Sequence, residues 1–309
     1  MTGRRGFSLV ELLTALAITL GIAAVVFHLF RQNERVFHEQ SMILEMEQSA
    51  RAVASQIADE VRMAGQGTPV TVEDAAVSEA VVAVLRGSSS SRISLRAGLS
   101  NIESTVASPL PANFMLGAAL SVSATNASVF SDVIGAIPSG RYVYLWGPGS
   151  SWGWVRAAVQ SITPSSRTLH LVVADAGGTR LPGPDGAAGT PDDVTQFTTP
   201  PAISLEEAVT IFYDPASRTV KRAAAANMTD PANPAWGPAN DLAMNVVSLT
   251  FSYYDKQDNL LTPDTLVNRA SIAWVEAAIA VQTSETFKNG ARPSFTLTVR
   301  SFPRNRPAA

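Results

Sequence analysis

The first 68 residues of the chain contain no proline, and this stretch constrains the fold more than any other feature. Residues 7–30 are almost wholly apolar or small, and about 20 such residues let a helix cross the hydrocarbon core of a bilayer. The sequence after residue 30 is polar but keeps a helical period. One face carries apolar residues three or four positions apart: Met46, Ala50, Val53, Ile57, Val61 and Ala64.

These patterns predict one continuous helix from Phe7 to about Ala64, ~85 Å long at 1.5 Å per residue. Gly65, Gly67 and Pro69 follow it, which is typical of a helix C-terminus. We expect the first half to lie in a membrane or filament core and the second half to pack on a globular domain. A coiled-coil stalk is the alternative, but the apolar stripe lacks sustained heptads.

Glu11 interrupts the apolar run near its start. A carboxylate inside a bilayer costs about 3 kcal/mol even on lenient scales, so such residues are usually functional and paired. Neither a cleaved signal peptide nor a plain membrane anchor needs an acid there, and a signal peptide has an apolar core of only about 7–15 residues. Glu11 therefore favours a third interpretation, a segment that first anchors the chain and later packs as a helix.

The segment Gly6–Leu13, GFSLVELL, resembles the class III signal of type IV pilins and type II secretion pseudopilins. That motif has a glycine, then a hydrophobic residue, and a glutamate at the fifth position after the cut. The resemblance implies that prepilin peptidase cleaves between Gly6 and Phe7, N-methylates Phe7 and leaves the apolar segment in place. It also implies that Glu11 of an incoming subunit pairs with the terminal amine of a neighbour during assembly.

The orientation follows from Arg4 and Arg5, which precede the apolar run and should stay cytoplasmic. We therefore expect a single pass through the inner membrane with the remainder periplasmic, and an extracellular position at the pilus tip after assembly. The predicted organisation has four parts: a prepilin leader at 1–6, a transmembrane or filament-core helix at 7–30, the amphipathic half of that helix at 31–66, and a β-rich extracytoplasmic globular domain at 67–309.

Beyond residue 67 the sequence consists of short apolar runs separated by Gly, Pro, Asn and Ser. Several runs alternate with period two, which is typical of half-buried strands. The expected fold class is α+β, with the long N-terminal helix packed on a mainly antiparallel sheet. The predicted strands are 79–86, 92–98, 141–147, 154–162, 168–174, 208–214, 219–225, 245–255, 271–283 and 294–302.

No combination of residues predicts catalysis, and the chain is expected not to be an enzyme. Cysteine is absent, which excludes disulfides, thiolate metal sites and cysteine nucleophiles. The stretch 149–153, GSSWG, fits G-x-S-x-G, but that motif needs a following helix and a downstream histidine. A strand follows instead, and the nearest histidine, His170, is expected to face outward from the next strand. We interpret this stretch as a hairpin turn.

A glycine-rich loop places Asp185, Asp192 and Asp193 close together in sequence. Carboxylates on such a loop can ligate Ca²⁺, but the regular spacing of an EF-hand is missing. A solvated turn is the preferred interpretation, and these three residues are weak calcium candidates. No other cofactor is expected.

Size separates the classes of pilin-like protein. At 309 residues the chain is longer than most major pilins and pseudopilins and is most similar to PilW-like minor pilins. The run IADEVRMAGQG at the helix end and TLTVRSFPRN near the C-terminus also resemble that group. Many pilins staple their C-terminal region with cysteines, so here strand pairing or partner contacts must hold it.

The function that this resemblance implies is a minor pilin that helps to initiate a type IV pilus and sits at or near its tip. The implied partners are other minor pilins, the major pilin, a tip adhesin, the prepilin peptidase and the inner-membrane assembly platform. No nucleic acid is expected, because the net charge is only −3. Two alternatives stay open: a J-type minor pseudopilin of a type II secretion system, and a membrane-anchored periplasmic binding protein that does not polymerise.

Overall fold

The computed structural model describes residues 9–69, 78–100, 103–107, 114–125, 140–148, 152–166, 168–178, 180–190 and 192–303. The predicted leader, the cleavage site at Gly6 and Phe7, and the N-methylated residue lie outside these ranges. The fold is α+β, as predicted, with one long helix followed by antiparallel sheets.

Helix α1 runs without interruption over Leu9–Met63, 55 residues in all, and passes through Gly21 in helical conformation. It ends where predicted. Gly65 has a φ of 81° and Gly67 a φ of 73°, the left-handed values that glycine adopts at low cost beyond a helix end. The Gly65 N–H then donates to the Arg96 carbonyl at 2.8 Å, which turns the chain toward the first strand.

The remaining elements are seventeen strands and two short helical turns within the described residues. In chain order the strands are β1 Arg92–Arg96, β2 Glu103–Thr105, β3 Phe114–Met115, β4 Ala119–Ser123, β5 Tyr142–Pro148, β6 Trp152–Thr163, β7 Thr168–Gly178, β8 Val194–Thr195, β9 Ala202–Leu205, β10 Ala208–Asp214, β11 Thr219–Asn227, β12 Ala235–Trp236, β13 Asn240–Ala243, β14 Val246–Tyr254, β15 Leu260–Leu261, β16 Trp274–Gln282 and β17 Ser294–Ser301. A 3₁₀ turn occupies Pro164–Ser166, and α2 spans Leu266–Ser271.

Two sheets share one hydrophobic core with the second half of α1. The first has the order β1-β10-β11-β12, with β13 also paired to β11, and the second has the order β15-β14-β16-β17. Strand β17 pairs with β16 over its whole length, from Val275 opposite Ser301 to Gln282 opposite Ser294. This confirms that strand pairing holds the C-terminal region of a chain without cysteine.

A third sheet is inserted between β1 and β10, which pair directly with each other. Its order is β2-β9-β5-β6-β7-β4. The two outer strands meet, because Val106 bridges Ala124 and the Thr125 N–H donates to the Thr105 carbonyl at 3.1 Å. The sheet therefore closes around its own hydrophobic core, which contains Phe114 and residues of all six strands or their ends. We call the described residues between 97 and 207 the inserted barrel.

Nine of the ten predicted strands overlap observed ones, but the strand predicted at 79–86 is wrong. Its apolar side chains are buried, including Val84 and Leu85, yet the backbone forms turns with only one bridge, Val84 to Leu95. The carbonyls of Glu79 and Val82 accept hydrogen bonds from the Arg96 guanidinium instead of a neighbouring strand. A short apolar run is ambiguous because burial alone does not specify extended backbone.

Candidate assembly surface

The first half of α1 exposes almost all of its apolar side chains. Leu9 is 74% exposed, Phe27 72% and Phe37 74%. The segment is long and apolar enough to cross a membrane, and none of its most apolar stretch is buried by the rest of the chain. An exposed apolar surface of this extent marks contact with a membrane or a protein partner. It therefore suggests membrane anchoring or a signal segment.

Glu11 lies on this exposed segment, in the first turn of the described helix. The Thr14 hydroxyl lies 3.0 Å from the carbonyls of both Val10 and Glu11, so the hydroxyl hydrogen-bonds to helix backbone. This arrangement satisfies the threonine without disturbing the helix. The predicted partner of Glu11, the amine of Phe7 in another subunit, lies outside the described residues, and the pairing stays a prediction.

The second half of α1 is buried along the predicted stripe. All six stripe residues are less than a tenth exposed, from Met46 to Ala64. They pack in the core with residues of the two sheets, such as Leu249 and Ile279. Each Met, Val or Ile side chain buried in this way stabilises the fold by about 1.5–3 kcal/mol. The helix is thus held by one half and projects its other half.

Glu60 is a charged residue near the end of α1. It is buried, and its Oε1 accepts hydrogen bonds from Arg222 Nε at 2.6 Å and from Gln56 Nε2 at 3.0 Å. Arg222 belongs to β11, so this ion pair ties the helix to the first sheet. A partner 162 residues away in sequence leaves no local signal, which is why the sequence does not reveal it.

A buried ionic cluster joins the inserted barrel to the rest of the chain. Glu206 accepts hydrogen bonds from Arg96 Nε at 3.0 Å and from Arg156 Nε at 2.7 Å, one through each carboxylate oxygen. The Tyr144 hydroxyl donates to Glu206 Oε1 at 2.8 Å. All four side chains are almost completely buried. We call Arg96, Tyr144, Arg156 and Glu206 the junction cluster.

The electrostatics of the junction cluster follow from burial and from Glu206. Burial alone would lower the pKa of Arg156, but attraction to Glu206 and Tyr144 and the hydrogen bond to Glu206 together outweigh it, and the pKa of Arg156 is raised. Burial raises the pKa of Tyr144 well above its ordinary value. Arg156 also stacks over the Tyr142 ring, 3.8 Å from its centroid. The sequence did not predict this cluster. The only signal for it in the sequence is the presence of arginines within apolar strand runs.

The carboxylates of the three aspartates accept hydrogen bonds from backbone N–H groups of the same glycine-rich loop. Asp185 accepts from the Ala187 N–H at 2.8 Å, Asp192 from the Asp185 N–H at 3.1 Å, and Asp193 from the Gly189 N–H at 2.7 Å. A hydrogen bond from the Thr190 hydroxyl, 2.7 Å away, is the main reason that the pKa of Asp192 is lowered. Within the described residues no group of three His, Asp or Glu side chains is placed to hold a metal ion.

Of the G-x-S-x-G match at 149–153, the described residues include only Trp152 and Gly153. Strands β5 and β6 pair as an antiparallel hairpin up to Pro148 opposite Trp152, and residues 149–151 lie outside the described ranges. A strand follows the motif, where a nucleophile turn needs a helix. His170 is half-buried and hydrogen-bonds with Ser121 Oγ at 2.9 Å and Thr163 Oγ1 at 3.2 Å across neighbouring strands.

The chain has no significant match among protein-family models, curated proteins or solved structures. The architecture of the chain therefore indicates its class of protein. That architecture is pilin-like: a long apolar N-terminal helix followed by an antiparallel β-sheet region that grips the second half of the helix.

Proposed function

We propose that the chain is a minor pilin, a structural subunit that helps to initiate a type IV pilus and sits at or near its tip. One observation carries the proposal. A single uninterrupted helix has an apolar, uncovered first half and a second half buried in the sheets. A subunit of this form can rest in a bilayer and later exchange lipid for the helices of neighbours, because both surroundings accept the same apolar surface.

The carboxylate of Glu11 favours the packed state beside a neighbouring subunit over the lipid-embedded state. A carboxylate and an amine in an apolar medium are each costly alone, whereas a matched pair recovers much of the cost. After cleavage at Gly6, the terminal amine of Phe7 would supply the opposite charge on a neighbouring subunit. The proposed partners follow from this role: other minor pilins, the major pilin, a tip adhesin, the prepilin peptidase and the inner-membrane assembly platform.

The first test is the intact mass of the protein from cells with and without prepilin peptidase. We expect a chain that begins at Phe7 and carries one added methyl group in peptidase-competent cells, and the full leader in cells lacking the enzyme. Gly6→Val should block cleavage, and Gly3→Val serves as the control within the leader. An unprocessed N-terminus in competent cells would contradict the proposal.

The second test separates assembly from anchoring. Glu11→Ala should be processed normally but should enter surface filaments roughly tenfold less than the native chain, because the neighbour's amine loses its partner. Asp59→Ala, an exposed acid farther along the same helix, is the control. A membrane-anchored binding protein would tolerate Glu11→Ala. Recovery from periplasmic filaments of a secretion system would assign the chain instead to the J-type minor pseudopilins.

A further inference from the structure

A groove opens where α1 leaves the sheets, on the side of the globular region nearest the exposed half of the helix. Its volume is about 220 Å³. Met42 and Met46 line it from the helix, and Met244 lines it from the turn between β13 and β14. Met244 is 67% exposed. Methionine is flexible and polarisable, and it recurs at surfaces that accept apolar side chains of varied shape.

The edge of the groove formed by Met244 and Asn245 is fixed by its backbone conformation and by a backbone hydrogen bond. Asn245 has a φ of 59°, a value that is uncommon for residues other than glycine. This backbone conformation turns the chain sharply after Met244. The Asn245 carbonyl accepts a hydrogen bond from the Gln282 N–H at 3.0 Å. The groove is therefore formed before anything binds, which lowers the entropic cost of occupation.

The rim of the groove is acidic. Glu45 and Asp241 are the charged residues among those that line it, and both are exposed. Lys221 lies opposite Asp241 in the β11–β13 pair, but its ammonium group makes a salt bridge with Asp214 at 2.8 Å. An apolar groove with an acidic rim fits a helix that presents an apolar anchor beside basic residues.

The exposed half of α1 has such a face. Phe27, Arg31 and Arg35 are spaced by four residues, so they lie along one side of the helix. All three are exposed, as is Glu34, which lies seven residues after Phe27 on the same side, so the face carries two basic groups and one acidic group. We propose that the groove receives this face, the side of the helix that carries Phe27, Arg31 and Arg35, from a second copy of the chain, with Phe27 contacting the methionines and the arginines opposing Glu45 and Asp241.

The groove and the face lie at different heights on the same helix, so the contact sets the axial offset between the two copies. Glu45 lies 14 residues beyond Arg31, a separation of ~21 Å along the helix axis. Two copies at the same depth in a membrane therefore cannot make this contact. The copy that supplies the face must stand ~21 Å farther from the membrane, so the inference rests on the proposed function, in which subunits leave the bilayer.

Thiol cross-linking tests the contact, because the native chain has no cysteine. Two differently tagged full-length copies are expressed together, one with Met244→Cys and one with Arg31→Cys, and a short bismaleimide is added to intact cells. Asn33→Cys controls for the face, since it lies about 200° around the helix from Arg31. Leu44→Cys, at the height of the groove, controls for side-by-side contact.

We expect the Met244–Arg31 pair to give roughly fivefold more cross-linked dimer than the Met244–Asn33 pair, because only the first places both thiols on facing surfaces. Equal yields from the two pairs would overturn the inference. A dominant Met244–Leu44 product would also overturn it, because it would place the copies at equal height. Absence of all products, with Phe7 still cleaved and methylated, would reject the groove contact and leave the proposed function intact.

Charge reversal tests the rim. With Met244→Cys in one copy and Phe27→Cys in the other, Glu45→Lys in the first should lower the cross-linking yield about threefold, as expected for an exposed charge pair. Arg31→Glu in the second copy should restore it. A lower cross-linking yield that Arg31→Glu does not restore would mean that Glu45 does not face Arg31. This result would contradict the assignment of the face.

Discussion

Glu206 has no exposed surface and lies between the guanidinium groups of Arg96 and Arg156. Replacing it by glutamine keeps the shape but leaves two buried positive charges without a counter-charge. We expect Glu206→Gln to lower the free energy of unfolding by about 3–5 kcal/mol, the usual cost of breaking a buried ion pair. Denaturant unfolding of the full-length protein in detergent measures this change.

Glu207→Gln is the matched control for that experiment. Glu207 is the next residue and is half-buried, and its carboxylate accepts hydrogen bonds from the Ser100 N–H and hydroxyl. Its loss should cost less than about 1 kcal/mol, since water can replace the lost contacts. Similar losses from both variants would mean that burial of the charge is not what makes Glu206 important.

Asp214, at the end of β10, should contribute to the acid sensitivity of the fold. Hydrogen bonds from Lys221 and Ser217 lower its pKa to about 2. The folded state thus favours the carboxylate, so its stabilisation is present above the ordinary aspartate pKa of about 4 and is lost as the pH falls through about 2. NMR titration of the Asp214 carboxyl carbon should give the low value, and Lys221→Met should raise it. An unchanged titration in Lys221→Met would refute the assigned cause.

Among the elements, α1 was the most predictable. Its period, the absence of proline and the two glycines after Met63 are local signals, and they predicted the helix end within one residue. The segment at 79–86 was less predictable for a physical reason. Its backbone conformation depends on hydrogen bonds to Arg96, a residue outside the segment. The side chain of Arg96 competes there with strand pairing.

Gly21, within α1, and Gly65, just beyond its end, should respond to alanine with opposite signs. Gly65 has a φ of 81°, and an alanine there adopts a left-handed conformation at a cost of about 1 kcal/mol. A Cβ on Gly21 would meet nothing within 4 Å, so Gly21→Ala should stabilise the local helix by about 1 kcal/mol. Native-state amide exchange around each site measures both. Equal signs would contradict the end of the helix described above.

At the scale of the whole molecule, the junction cluster joins strands that contribute to the two largest hydrophobic cores. One lies between α1 and the two sheets, and the other fills the inserted barrel. The two ends of the insertion lie together, because the Ala97 N–H donates to the Glu207 carbonyl at 3.1 Å. The barrel is thus attached beside the C-terminal end of α1, opposite the end that enters the proposed membrane.

The junction cluster should couple the opening of the two cores. In Arg96→Met, β1 loses its buried contact to Glu206 of the barrel, while the pair of Arg156 and Glu206 within the barrel stays intact. Hydrogen–deuterium exchange should then show β5–β7 exchanging before β16 and the second half of α1, whereas the native chain exchanges both together. Joint exchange in the variant would indicate that other contacts couple the cores.

The sequence by itself determined the helix, its apolar and amphipathic halves, most strands, and the motif GFSLVE that points to assembly. These features depend on spacing along the chain, which short-range backbone geometry converts directly into faces and ends. Only the tertiary structure decided the insertion between β1 and β10, the junction cluster, the burial of Glu60 and the groove at Met244. Each of these joins residues far apart in sequence, and such pairings leave no local periodicity because they are selected by packing and charge in the folded chain.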